Sequence, residues 1–360
     1  MLTAHAWFPQ KEAAITTIFQ GDVNLKITMA HGSGGESTSK LISEVFAKHF
    51  NNEYLSKLED SAVVPGAGKL AVTTDSFVVT PLEFPGGDIG RLCVCGTVND
   101  LLMSGAVPKY ITCGCILEEG LDIDLLDRVI ASMAETAMEA GVVVVTGDTK
   151  VIENRGGEGG LIINTSGVGF IPDDLDVPGP FKLQDSDKII ISGNLGDHHA
   201  AILGKRMGIE SSIESDNAPL TEMVGKLLSE GVRVHAMRDV TRGGLGTVLN
   251  EFASASECSI ELVETDLPVS PAVKDFCGIL GLDPIYMGNE GKMVLSVHEE
   301  DAEKALLLIK QSRYGENAKV IGSVKKADIN SGDIGVFVRT KIGGKRVVGP
   351  MYGEGLPRIC

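Results

Sequence analysis

Positive charge is scarce in this chain of 360 residues: 32 Lys and Arg stand against 49 Asp and Glu, a formal net charge of −17. Nucleic acid and acidic membrane surfaces are gripped through positive footprints, so neither is expected as a partner. No apolar run reaches the roughly 18 residues that mark a membrane-spanning helix. The opening MLTAHAWFPQKEAAITTIFQ has no basic start followed by an apolar core, so it does not read as a signal peptide. The seven cysteines are odd in number and are not spaced as a disulfide framework. A reducing compartment suits them, and a cytoplasmic location is expected. Cys93 with Cys95, and Cys113 with Cys115, lack a following CxxC or CxxH, so they read as buried apolar cysteines rather than zinc ligands. Two phosphate-binding signatures are missing as well. Neither G-x-x-x-x-G-K-[ST] nor a G-x-G-x-x-G after a strand occurs. No repeat of solenoid length is present.

What is there suffices for two domains: 43% of the residues are hydrophobic, enough for a full core. The first half alternates strand-like and helix-like runs. KITMAHGSGG leads into the amphipathic STSKLISEVFAKHF, and the strand KLAVTTDSFVV precedes the helix DIGRLCVCGTVNDLLMSGA. The strand YITCGCIL, the helix DLLDRVIASMAETAMEA and the strands GVVVVTGDTKVIE and LIINTSGVGFI follow. IPDDLDVPGPFKLQDSD, with three prolines and five aspartates, is the linker candidate. A second α/β series runs from KIIISG to AKVIGSV. The last segment, GGKRVVGP to Cys360, is rich in glycine and proline and reads as an extended, movable arm.

Four acids stand where strands or turns end, or just inside a helix: Asp75 in TTDSF, Asp100 in TVNDLL, Asp148 in TGDTK and Asp239 in MRDVTRGG. Carboxylates converging at one edge of a sheet repel one another unless a cation lies between them. Mg²⁺, which takes oxygen ligands and bridges to phosphates, fits that need. Two glycine loops accompany the acids: HGSGG, with Gly32, Ser33, Gly34 and Gly35, and TRGGLG, with Gly243 and Gly244. Each offers backbone N–H groups ahead of a helix, where phosphate can approach. The chain ends EGLPRIC, so Cys360 is a thiol on the terminal residue. A nucleophile on a mobile tether can collect a group at one place and present it at another.

Taken together and in order, AHGSGG, TTDSFVVTPLEFPGGDIGRL, CGTVNDLLMSGA, GDTKV, RDVTRGGL, GNEGK and the terminal PRIC resemble one family from about Lys26 to Cys360. It is the family of HypE-type hydrogenase maturation proteins, the carbamoyl dehydratases, within the aminoimidazole-ribonucleotide synthetase-like superfamily. The wider superfamily shares the acids and glycines but not the cysteine tail. The resemblance implies a two-domain α+β / α/β synthetase-like fold. An N-terminal extension, 1–25, would precede an ATP-binding and dimerisation domain, 26–170, that forms a β-barrel across a homodimer. A linker, 171–187, a C-terminal α/β sandwich, 188–342, and a mobile tail, 343–360, would follow. It further implies ATP-dependent dehydration of a carbamoyl group on Cys360 to a thiocyanate, the cyanide donor for the iron of the [NiFe]-hydrogenase active site. ATP and Mg²⁺ would be the cofactors, with the metal on Asp75, Asp100, Asp148 and Asp239 and Thr149 beside the nucleotide. Backbone amides at Gly32 to Gly35 and at Gly243 and Gly244 would hold phosphate. Nitrile formation needs a base, assigned here to Glu290, with Lys150 orienting it or relaying the proton; His31 is secondary. A HypF-type carbamoyltransferase would load the thiol, and a HypC–HypD-type scaffold complex would accept the cyanide. GDHHAAI departs from the family in placing His199 after His198, read here as a tolerated surface or cap change.

Overall fold

The computed structural model describes residues 26–33, 36–57, 61–154, 156, 159–327 and 334–351. Gly34, Gly35 and Cys360 therefore lie outside the described residues. Lys26 makes a lone bridge to Asp122. The segment after it is a single 3-10 turn, Met29–Gly32, rather than the end of a strand, because Thr28 N–H donates to His31 Nδ1 at 3.0 Å and closes the chain locally. Helix α1 (Glu36–Leu41) passes through one π turn (Ile42–Phe46) into α2 (Ala47–His49).

The N-terminal sheet contains β1 (Leu70–Phe77), and the short hairpin β2 (Glu83–Phe84) and β3 (Gly87–Asp88) leads into α3 (Ile89–Met103). β4 (Val107–Glu118), α4 (Ile123–Ala140), β5 (Val143–Ile152) and β6 (Leu161–Phe170) complete the unit. The strand order is β1-β6-β4-β5, with β4 and β5 parallel across the α4 crossover. Asp88 caps α3 by accepting from Arg91 N–H, and Asp122 caps α4, which Gly141 ends in the left-handed region at φ 72°. α3 lies on one face of the sheet and is buried on nearly every side, as its apolar composition requires.

The C-terminal unit begins with β7 (Lys188–Ile191), α5 (Asp197–Arg206), α6 (Thr221–Ser229), β8 (Val234–Asp239) and α7 (Gly244–Ala255). It continues through β9 (Cys258–Val263), α8 (Pro271–Leu280), β10 (Met293–Val297), α9 (Ala302–Lys310), β11 (Lys319–Lys326), β12 (Gly335–Arg339) and β13 (Lys345–Val348). These strands form one mixed sheet in the order β13-β12-β9-β11-β7-β10-β8. Alternation along β10 shows the layering: Met293, Leu295 and Val297 join a core shared with α6 and α9, while Val294 joins the core under α7. The first of these cores is continuous with that of the N-terminal sheet.

Two expectations are corrected here. The tail does not leave the body at 343: Lys345–Val348 pairs with β12, Val348 is fully buried, and Tyr286 Oη donates to Gly349 O at 2.9 Å. The paired glycines that suggested an arm instead close the hairpin, with Gly343 at φ 85° and Thr340 N–H donating to Gly344 O. His198 and His199 are not surface residues either. Both are buried, their Nε2 atoms have no partner, and burial pushes them down to about 3 and about 4 respectively.

Candidate active site

The sequence places four acids on four elements, and the fold brings three of them to one place. Asp75 lies on the α3 side of β1, where Gly96 permits close approach: a Cβ there would sit 2.8 Å from the Phe77 ring and 3.7 Å from Asp75 Oδ2. Asp100, one turn further along α3, accepts from Thr73 Oγ1 at 2.8 Å and is thereby tied to the same strand. Asp239 is the last residue of β8, against which α3 packs. Glu290 enters on the loop before β10: its N–H donates to Asp216 Oδ1 at 3.0 Å, and its carbonyl accepts from Asn99 Nδ2 at 3.3 Å. Asn99 also bonds Ala218 O and Leu220 N–H, so α3 clamps the 216–220 segment beside the acids.

Crowding of like charge in a dry site is visible in the acids themselves. Burial raises Asp100, and Asp75 raises it further. Asp239, only 8% exposed, is pushed up to about 7 by burial and then by Asp100 and Asp75. Burial lifts Glu290 well above the carboxylate range, with Asp239, Asp216, Asp75 and Asp100 adding to the effect. For Glu290 to serve as the base assigned to it, its ionisation requires relief of that negative field.

Directly after Asp239, Gly243 and Gly244 turn the chain into α7 at φ 78° and 62°. A Cβ on Gly243 would meet Thr247 Oγ1 at 2.3 Å, and that hydroxyl is buried without a hydrogen-bond partner. The Gly244 N–H donates to Thr241 O at 3.0 Å, which corrects its expected role on phosphate, and Gly243 is left at the helix N-terminus with an orphaned hydroxyl beside it.

Asp148 and Lys150 stand elsewhere. Register runs from Asp75 through Thr165 and Cys113 to Gly147, so Asp148 sits at the opposite edge of the sheet, about 14 Å away across three strand spacings. Strand alternation also turns it to the other face. One ion cannot be ligated by Asp75 and Asp148 of the same chain, which corrects the single four-aspartate metal set. Lys150 pairs with Asp148 at 3.8 Å, is largely exposed, and likewise faces away from the α3 side that carries Asp100. GDTKV lies on a strand as expected, and a bulge at Ile111/Thr112 shifts the register of β5 and so sets which face Asp148 and Lys150 take. Thr149 returns to the helix side and lines a cavity of about 330 Å³ with Cys113, Phe46 and Tyr54. Gly32 packs against Val151 of β5, so close that a Cβ would lie 2.7 Å from its Cβ; Ser33 is exposed. His31 caps its own turn. Among the described residues, no group of three or more His, Cys, Asp or Glu forms a ready-made metal cage.

The buried state of Asp239 has a pH signature. Because its folded value lies near 7 and its ordinary value near 3.8, the native state holds a proton that the unfolded chain has already released. The resulting stability is full below about pH 4 and is lost as pH rises through 7. Asp239→Asn removes the buried charge, so without nucleotide it should stabilise the protein at pH 8 by on the order of 3 kcal/mol. The gain should vanish near pH 4, as read from urea denaturation at the two pH values.

Two family models match, one to each unit: "AIR synthase related protein, N-terminal domain" at 58–171 and "AIR synthase related protein, C-terminal domain" at 184–334. The fold is therefore that of an AIR synthase-related protein. Within that class, the carbamoyl dehydratase HypE of Escherichia coli K12 is 44% identical over 342 residues, covering 93% of this chain and 99% of the relative. A crystal structure of HypE in complex with ATP superposes with a TM-score of 0.88 at 45% identity, covering 92% of this chain and 99% of that one. The HypE chain of a HypE–HypF complex superposes with a TM-score of 0.74 at 42% identity, covering 86% and 99%. The chain belongs to the HypE family of carbamoyl dehydratases, enzymes of hydrogenase maturation.

Sequence reasoning passed over Asn99, Asp216 and Thr247. Asn99 adjoins Asp100 in TVNDLL and was open to notice. Asp216, in the loop SDNAP, carries no local pattern at all.

Proposed function

We propose that the chain uses ATP to dehydrate a carbamoyl group held on Cys360 to a thiocyanate, the cyanide donor for the iron of a [NiFe]-hydrogenase. The observation that carries this reading is the meeting of Asp75, Asp100 and Asp239 with the glycine-opened N-terminus of α7, directly beside buried Glu290. The ATP complex of a close structural relative and the activity named for the E. coli relative support it.

An amide oxygen does not leave as hydroxide. Transfer of the γ-phosphoryl group to that oxygen turns it into phosphate, which leaves as the C≡N bond forms. The carbamoyl group thus loses its oxygen to phosphate and both nitrogen protons. One proton is accounted for by hydrogenphosphate, and the other is released. The backbone N–H of Gly243 would hold a phosphate oxygen, with Thr247 Oγ1 as a further donor. Asp75, Asp100 and Asp239 fit magnesium, which commonly rests on one or two carboxylates plus phosphates rather than in a closed protein cage. Bound there, magnesium supplies the positive charge that the phosphates and the crowded acids need. With that field relieved, Glu290 accepts a proton from the carbamoyl nitrogen. Chain length permits delivery: eleven residues follow Gly349, a span of up to roughly 35 Å. Tyr286, which holds Gly349, is only four residues before Glu290.

Asp148 and Lys150 fit a homodimer. The face on which they stand is open, and it carries Leu70, Val72, Ile116 and Ile152, each 38–71% exposed. Closing it against a second copy into a barrel would make both residues act at the dimer face rather than on their own chain's acids. A HypF-type carbamoyltransferase is the proposed loading partner, supported by the HypE–HypF complex, and a HypC–HypD-type scaffold the acceptor. A cytoplasmic setting agrees with the free cysteines, and no helix among the described residues is long and apolar enough to cross a membrane. The chemistry is tested by placing heavy oxygen in the carbamoyl group. The label is expected in inorganic phosphate after turnover, and its appearance in water instead would rule out phosphoryl transfer to the amide.

A further inference from the structure

Glu290 is 6% exposed, so a proton that it accepts has no direct way out. The residue two places on, Lys292, is also buried, at 7%, which is unusual for lysine. Its Nζ lies 3.6 Å from Asp216 Oδ2, and that oxygen accepts no hydrogen bond, while Asp216 Oδ1 accepts from Glu290 N–H. On its other side Lys292 lines a polar cavity of about 410 Å³ with Asn194, Asp197, Tyr314, Glu316 and Asn317. From the N-terminal domain, Arg91 and Glu139 face this region, joined to Tyr314 Oη at 3.2 and 2.6 Å. Asp197 is raised to about 6 by burial and by Asp216 and lowered by Lys292, so the three groups sense one another.

We propose that Asp216 and Lys292 form the exit route by which the proton taken up by Glu290 reaches water in the cavity beside Asp197. This rests on the dehydratase reading above and assigns a task to a lysine that the chemistry had left unused. The Glu290 carboxyl gives its proton to Asp216. The Lys292 ammonium gives a proton to cavity water and takes the one on Asp216. At the end Glu290 and Asp216 are carboxylates, Lys292 is again an ammonium, and one proton has left. No bond other than those to hydrogen changes. Lys292 is a relay residue that acts through Glu290 and does not touch the substrate.

The test uses full-length protein carrying the carbamoyl group, in single turnovers with saturating Mg-ATP. Lys292→Met should slow thiocyanate formation on the order of tenfold or more in dilute buffer. Added methylamine or imidazole, small enough for the cavity, should restore the rate in a saturable way while the parent protein ignores both. An unchanged rate overturns the proposal, as does a slow rate that neither amine improves, since a purely structural lysine gives no buffer response. Should the melting curve show that Lys292→Met is unfolded, Asp197→Asn is measured in the same way. A smaller loss with the same amine response supports the route, and no loss or no response overturns it. A parent protein that forms no thiocyanate sinks the dehydratase reading itself, a result distinct from any of these.

Discussion

Glu290→Gln is expected to slow dehydration of the loaded protein by about 10²–10⁴-fold while leaving ATP binding intact. Glutamine has nearly the shape of glutamate, so the backbone bonds from Glu290 N–H to Asp216 and from Asn99 to Glu290 O persist. What disappears is the ability to accept a proton. The parent's own pH dependence should carry the same signature. Burial and four neighbouring acids raise Glu290, so the fraction ionised, and the rate with it, should climb with pH from the acid side. Raising magnesium should move that climb to lower pH, because positive charge among Asp75, Asp100 and Asp239 favours the carboxylate. Single-turnover rates across pH at two magnesium concentrations measure both effects. A Gln variant at parental rate would transfer the base to another group.

Deleting Cys360 should abolish carbamoyl loading and thiocyanate formation altogether. ATP affinity and melting temperature should stay at parental values, because among the described residues the C-terminal sheet is already closed by Val348, buried on β13 beside β12, and by Gly349, held by Tyr286. That combination separates this enzyme from small-molecule kinases of the same fold, whose activity would survive loss of the thiol. It also separates it from a pure carrier, in which changing Asp100 or Glu290 would have no effect on the group once loaded. Radiolabelled carbamoyl transfer by the loading partner, followed by nucleotide binding to the truncated chain, reads out both halves.

The acids and glycines were legible because each sits at the end of an element whose period is plain. TTDSF closes an apolar strand, TVNDLL falls inside a helix apolar on nearly every side, and RGG opens α7. That Asp75, Asp100 and Asp239 meet followed from ligands gathering at one edge of a sheet. Facing was less legible. The bulge opposite Thr112 changes which residues of β5 point toward α4, so Asp148 and Lys150 were placed with acids that they do not face. Local composition misled at two further places. GGKR suggested a free arm but is a hairpin turn feeding an edge strand, and HGSGG suggested a strand-to-helix loop but begins with a 3-10 turn capped by Thr28 and His31. The paired histidines looked polar and therefore exposed; α5 buries both because its outer side is covered by α8 and by Phe84, which meets the His198 ring edge-on at 5.7 Å. The raised state of Glu290 was beyond any sequence reading, since it depends on burial and on four acids drawn from four separate stretches.

The central claim is tested most directly by mass spectrometry of the C-terminal peptide from carbamoyl-loaded protein, with and without Mg-ATP. Loss of one water from the Cys360 peptide only when Mg-ATP is present is the predicted result. A loaded peptide whose mass Mg-ATP leaves unchanged would contradict the account and leave Cys360 as a carrier for chemistry done elsewhere.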